Sequence, residues 1–431
     1  MIIISSFLSI LVYINCELNY TTLKFTRSYS EPLNSNNVME QLENNYISVP
    51  ISIGNPKQEL RLNLKLGLYP TYLISKNDKI DLPVFYQGNS STYKSDGSLF
   101  FFEIPDIFWG TKATENFQFG NINIDSAIFC LETDYNDDNP LKVNSGVLGL
   151  DISYHYKLLL EDTGMLHQLK KNDLISSYDF TFKYTGEDEG EFIMGALPHQ
   201  FDSNYKQENY FYTNTMSYNS DLYWGLKFTE VSFNNHKIET KYSSGFLSIE
   251  SGIMKGPKDF FNVVSENFFN KYFESNLCLK DSLKGMSYYH CSVKDIDYSE
   301  FGELSFYVKD NLNFTFSFSH EELFYEYEGR KYFLVVYDPE NTEWVLGKPF
   351  FKKYQILFNL DKKLVGIYKE DGLVNGSSSG GKGLGLWWIP ITILIILAGV
   401  YIFFWIFRLK RPRMKRATEL IEDYEYIPSG K

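Results

Sequence analysis

From Tyr46 onward the chain alternates apolar and polar residues in short runs broken by turn-forming residues, the period-two signature of half-buried strands. Tyr46–Ile53 (YISVPISI), Leu60–Leu64, Glu191–Met194 and Ser305–Val308 are the clearest examples. Helical periodicity is scarce. It is found over Leu159–Lys171, with Leu160, Met165 and Leu169 on the inner face, and over Lys258–Phe273. Two further runs are apolar on every face. Ile2–Ile14 has the length of a signal-peptide core and leads into Asn15 and Cys16. Leu386–Phe407 holds 22 residues without a charge, enough to cross a bilayer, with Trp387, Trp388 and Trp405 near its ends. Arg408–Arg416 follows with six basic residues in nine, which the positive-inside rule assigns to the cytoplasm. The pattern predicts a single-pass type I membrane protein with a large extracytoplasmic part, in the secretory or endolysosomal pathway or at the plasma membrane.

Composition sharpens this picture. Aromatic residues make up 17% of the 431 positions, which favours strands over helices. The net charge of −13 argues against nucleic acid as a partner. Cys16 leaves with the signal peptide or ends it. Cys278 and Cys291 enclose a short polar loop in what is then an oxidising compartment, so they are expected to form a disulfide, with Cys130 a buried small hydrophobe. Asn-x-Ser/Thr triplets at Asn19, Asn89, Asn313 and Asn375 fit secretion and glycosylation. No zinc-spaced Cys/His cluster, phosphate-binding loop or dinucleotide motif is found, and no cofactor is expected. Gly376–Gly380 spells G-x-S-x-G, but it lies in a Gly/Ser tether rather than at a strand-to-helix elbow. In the tail, Tyr424-Glu-Tyr-Ile427 fits a Tyr-x-x-apolar sorting signal for adaptor proteins.

The halves of the β region repeat one arrangement. Ile53-Gly54-Asn55-Pro56-Lys57-Gln58 precedes an alternating run and then Lys65-Leu66-Gly67; Leu247-Ser248-Ile249-Glu250-Ser251-Gly252 stands in the second half. Each is followed later by an apolar-apolar-Gly segment, Val147-Leu148-Gly149 and Val345-Leu346-Gly347. This frame resembles the pepsin-like aspartic proteases, whose loops read I-G-T-P-P-Q, a strand, D-T-G-S, and later D-[TS]-G. The likeness continues through Tyr223-Trp224 and through Trp344–Phe351 to Val365–Ile367, and spans about residues 46–369. It implies an all-β, bilobal fold with a cleft between two related lobes, plus one C-terminal transmembrane helix. The implied organisation is a signal peptide (1–16), a short leader or propeptide-like segment (17–45), lobes at 46–200 and 201–370, a linker (371–385), the membrane helix (386–407) and a tail (408–431). A disulfide in the second lobe is usual in that family, in agreement with Cys278–Cys291.

The resemblance places Lys65 and Glu250 at the two catalytic aspartate positions, with Gly67, Ser251 and Gly252 supporting the loops. In the family, two carboxylates share a proton, one activating water while the other polarises the scissile carbonyl. An ammonium beside a carboxylate favours the charged form of both, so Lys65 removes that chemistry and is expected to ion-pair with Glu250. Leu66, Leu68 and Ile253 stand where supporting hydroxyls are usual. In the flap, Phe102, Glu103, Ile104 and Pro105 replace a tyrosine and its Gly-rich neighbours. Asp162-Thr163-Gly164 keeps the literal motif but follows Val147–Gly149, out of order and in a helical pattern. The sequence therefore predicts an inactive homologue whose cleft binds peptide or protein segments. An active endopeptidase with an unconventional site and a structural surface glycoprotein are the alternatives.

Overall fold

The period-two runs fold as strands. In the computed structural model, the described residues are 18–29, 32–34, 37–75, 83–102, 108–132, 144–152, 163–218, 221–238, 243–340 and 343–369. Tyr46–Ile53 and Gln58–Lys65 form an antiparallel pair, with Ser48 opposite Asn63 and Ile53 opposite Gln58. Gln58–Lys65 then runs parallel to Gly146–Gly149, with Lys65 opposite Gly149. In the second half, Ser244–Leu247 runs parallel to Trp344–Leu346, with Leu247 opposite Leu346. The strands that follow each loop match as well. Tyr72–Ile74 and Met254–Gly256 each lie antiparallel to their apolar-apolar-Gly strand and parallel to another strand, Ile122–Glu132 and Val335–Tyr337 respectively. The internal repeat is thus a repeat of topology.

The glycines of these strands are required by close approach. A Cβ on Gly149 would lie 2.5 Å from the carbonyl oxygens of Leu68 and Pro70, and one on Gly347 would lie 2.0 Å from that of Ile253. No side chain fits there, so each strand can press against the backbone of its loop.

The two halves share one sheet. Strands from beyond residue 200 extend the first half's sheet: Leu357–Asn359 pairs with Asp179–Tyr184, and Leu364–Tyr368 joins it to the edge strand Tyr210–Asn214. One sheet therefore runs across residue 200, joining strands from both sides of it. Stacked aromatics close this seam, including Phe180 on Phe358 at 4.8 Å. Trp224 in turn donates its indole N–H to the Leu150 carbonyl at 2.8 Å.

Helices are few. Lys258–Val264 continues through a wider turn, Ser265–Phe269, into Asn270–Phe273, burying Phe260, Phe261, Val264, Phe268 and Phe269. Of the run over Leu159–Lys171, Met165–Lys171 is helical and residues 159–162 lie outside the described part. No described helix is long and apolar enough to cross a membrane. The apolar runs 2–14 and 386–407, Cys16, Asn375 and the tail with Tyr424 and Ile427 all lie outside the described residues.

The polar leader is built into the body. Thr21–Ser28 alternates buried and exposed positions and is hydrogen-bonded on both sides, to Glu189–Met194 and to Tyr46–Ile53. The helix Val38–Glu43 sets Val38, Met39 and Leu42 against Ile253, Met286 and Val336 of the second half.

Candidate active site

The strand endings converge on two loops. Lys65 ends its strand half-buried, its carbonyl accepting from Leu150 N–H at 2.8 Å. Leu66 and Leu68 beside it are buried, and Gly67 is exposed, with nothing within 4 Å of where a Cβ would sit. On the second loop Glu250 is half-buried and reaches across. Its Oε1 accepts from the Gly67 N–H at 3.3 Å, and its Oε2 from the Ser248 hydroxyl at 3.2 Å. The fold thus brings the loop carrying Glu250 against the loop carrying Lys65.

It does not bring their charges together. No ion pair joins Lys65 and Glu250 within 4.0 Å, contrary to the expected salt bridge. The physical reason lies in what holds the carboxylate. A backbone N–H and a hydroxyl on its own loop are fixed partners, whereas a lysine must immobilise a four-carbon stem to compete. The Glu side chain, one methylene longer than Asp by about 1.5 Å, reaches the facing loop.

Cross-loop contact is thus made by a carboxylate on a backbone N–H rather than by paired hydroxyls. Leu66 offers no hydroxyl, and the Ser251 hydroxyl turns back onto its own loop, donating to Ile253 O at 2.7 Å. Ile253 is buried and apolar.

The second loop is clamped from outside by the leader. Asn45 N–H donates to Glu250 O at 2.7 Å and its side chain to Ile249 O at 2.7 Å. Gly252 N–H donates to Glu43 O at 3.0 Å, and a Cβ on Gly252 would sit 1.9 Å from the Leu42 carbonyl oxygen. Lys348 N–H binds Ser251 O at 2.7 Å.

A charged clasp holds the leader in turn. Arg27 donates to Gln41 O at 2.5 Å and Asn44 O at 3.0 Å, and pairs with Asp188 at 3.4 Å. Lys348 pairs with Glu187 at 2.7 Å and Asp188 at 3.0 Å. Burial and then Arg27 hold the Lys348 ammonium below the usual lysine range. For Asp188, burial opposes ionisation, but Lys348, the Tyr29 hydroxyl and Arg27 outweigh it and hold the carboxyl below its usual range. Lys255 adds a further tie, to Glu43 at 3.1 Å and Asp338 at 3.3 Å.

Sequence reasoning missed Ser248, Asn45, Arg27, Asp188 and Lys348. One signal was legible: Lys348 is a lone charge in the apolar run Trp344–Phe351, and a buried charge requires a partner.

The remaining expectations are placed as follows. Cys278 and Cys291 are disulfide-bonded. Cys130 is free and buried, and burial pushes its thiol up. Asn19, Asn89 and Asn313 are exposed. Phe102 ends the strand Lys94–Phe102, and Glu103, Ile104 and Pro105 lie outside the described residues. Thr163 and Gly164 lead into the helix Met165–Lys171, with Thr163 fully buried and its carbonyl accepting from Thr71 N–H at 3.2 Å, just beyond the first loop. Among the described residues no group of three or more His, Cys, Asp or Glu could hold a metal. Comparison with models of known families matches residues 45–369 to the family described as eukaryotic aspartyl protease. No curated protein matches the chain.

Proposed function

The chain belongs to the eukaryotic aspartyl protease family, and from that premise we propose that it is a membrane-anchored member that does not cut peptide bonds and instead holds extended peptide or protein segments in its cleft. The observation that carries this reading is the pair of dyad positions. The family's reaction needs two carboxylates sharing one proton and a water. Lys65 supplies an ammonium in place of one, and both oxygens of the remaining carboxylate, Glu250, are engaged by Gly67 N–H and Ser248. Misplacement on the order of 1 Å alone costs about a hundredfold in rate. Leu66, Leu68 and Ile253, all buried, offer no hydroxyl to restore the geometry.

In this reading Leu386–Phe407 anchors the chain in a secretory, endolysosomal or plasma membrane, with the folded part extracytoplasmic and Tyr424 and Ile427 available to adaptor proteins. The exposed Asn19, Asn89 and Asn313 are then acceptors for glycans.

The test is proteolysis of denatured protein substrates by the detergent-solubilised full-length chain across acid to neutral pH, with Glu250→Ala as control. No turnover above that control is expected. Turnover that Glu250→Ala abolishes would instead establish an active endopeptidase with an unconventional site.

A further inference from the structure

Glu250 is satisfied without Lys65, and this leaves the Lys65 charge unassigned. The described residues give its ammonium neither an ion-pair nor a hydrogen-bond partner. Two other lysines withdrawn from solvent are paired: Lys255 with Glu43 and Asp338, and the buried Lys348 with Glu187 and Asp188. Lys65 is half-buried, and Leu66 and Leu68, which follow it in the chain, are 2% and 4% exposed. A half-buried cation is less screened by solvent, so an incoming anion gains more there than at an open surface. Gly67, two residues on, has open space where a side chain would stand, so a backbone can pass across it.

We propose that Lys65 is the anchor of a carboxylate subsite, so that the peptide held in the cleft presents an Asp or Glu side chain, or its own C-terminal carboxylate, to this ammonium. The inference rests on the peptide-binding reading above and deepens it. Where an active member would carry a carboxylate of the water-activating pair, this chain carries an ammonium that holds. The shared chemistry is an ammonium–carboxylate hydrogen bond, which no carboxylate among the described residues makes with Lys65.

The experiment measures binding of N-acetylated peptide mixtures, random except for a fixed central residue, to the detergent-solubilised full-length chain. The central residue is Asp, Glu, Asn or Gln in C-amidated peptides. A second arm keeps Asn at the centre and frees the C-terminal carboxylate. One acidic arm is expected to bind at least about tenfold tighter than its amide counterpart, as a charge-assisted bond implies. Lys65→Met is expected to abolish that preference, and Lys65→Arg to retain it. The preference is also expected to shrink as added salt screens the pair. Which arm shows it identifies the source of the carboxylate. Peptides that bind with no preference for an acid at either position, or a preference that survives Lys65→Met, overturn the subsite and leave the cleft reading standing. Failure of every peptide to bind overturns both.

Discussion

The two loops descend from one pattern, yet they are held differently. The second is fixed on every side: leader residues Glu43 and Asn45 grip its backbone, Leu42 fills the space above Gly252, and Lys348 N–H holds Ser251. The first is tied mainly through its own strand and through Leu150 and Asp151, whose N–H groups bind the carbonyls of Lys65 and Leu68. Its Gly67 faces open space. The difference teaches that one loop has become framework while the other keeps an open face and a charge with no partner among the described residues. Glu250 belongs to the framework loop and Lys65 to the open one.

The largest effect expected from breaking this contrast is steric. Gly252→Ala places a Cβ 1.9 Å from the Leu42 carbonyl oxygen, a backbone atom that cannot give way cheaply. A loss of at least about 3 kcal/mol, or failure to fold, is expected. Gly67→Ala at the equivalent position is expected to stay within about 0.5 kcal/mol of the parent. Chemical denaturation of both variants measures the contrast, and equal losses would show that the two loops are held alike.

Next comes the clasp. Arg27→Met removes a side chain that is 1% exposed and leaves the Gln41 and Asn44 carbonyls without their donor. A buried ion pair broken from one side costs about 3–5 kcal/mol. Asp188 is partly exposed, so about 2–3 kcal/mol is expected here. Limited proteolysis between residues 29 and 37 sharpens the result. If the leader is framework, a nicked chain keeps residues 18–29 bound in the parent and releases them in Arg27→Met.

Acid tests the same clasp more gently. Asp188 and Glu187 have folded-state values below the ordinary carboxylate range, Glu187 because Lys348 and Lys352 outweigh its burial. Their contribution is therefore complete above the unfolded carboxylate value of about 4 and is lost as pH falls through the lower folded values. Melting temperature is expected to hold at neutral and mildly acid pH and to drop in stronger acid. The drop is expected to be smaller in Asp188→Asn. An equal drop in both would place the acid-sensitive group elsewhere.

How far the sequence foretold this follows from the distances involved. The loops and their Val-Leu-Gly strands are compact motifs in which a few contiguous residues set the backbone path, so the repeat and the fold were readable. The helix over Lys258–Phe273 was readable because its phenylalanines recur at helical spacing. The leader was not. Its grip runs from Arg27 to Asp188 and from Asn45 to Ile249, partners 161 and 204 residues away. A polar, turn-rich segment looks the same whether it is free or pinned. The expected Lys65–Glu250 bridge failed for a related reason: charge type predicts attraction, but the nearer Gly67 N–H and Ser248 hydroxyl had already satisfied the carboxylate.

The smallest effect is expected where the sequence difference looks most decisive. Lys65→Asp with Glu250→Asp restores both family aspartates, yet proteolysis near the rates of active relatives is not expected. The shorter side chain at 250 would withdraw by about 1.5 Å from the Gly67 N–H that now holds it at 3.3 Å. The Ser251 hydroxyl would still point to Ile253 O, and Leu66 and Leu68 would still offer the new aspartate at 65 no donor. A carboxylate pair works only when its supporting hydrogen bonds are in place before substrate arrives. Robust cleavage of a pepsin substrate by the double variant would show that the framework loop is still a catalytic loop, and that the residues at 65 and 250 alone keep it silent.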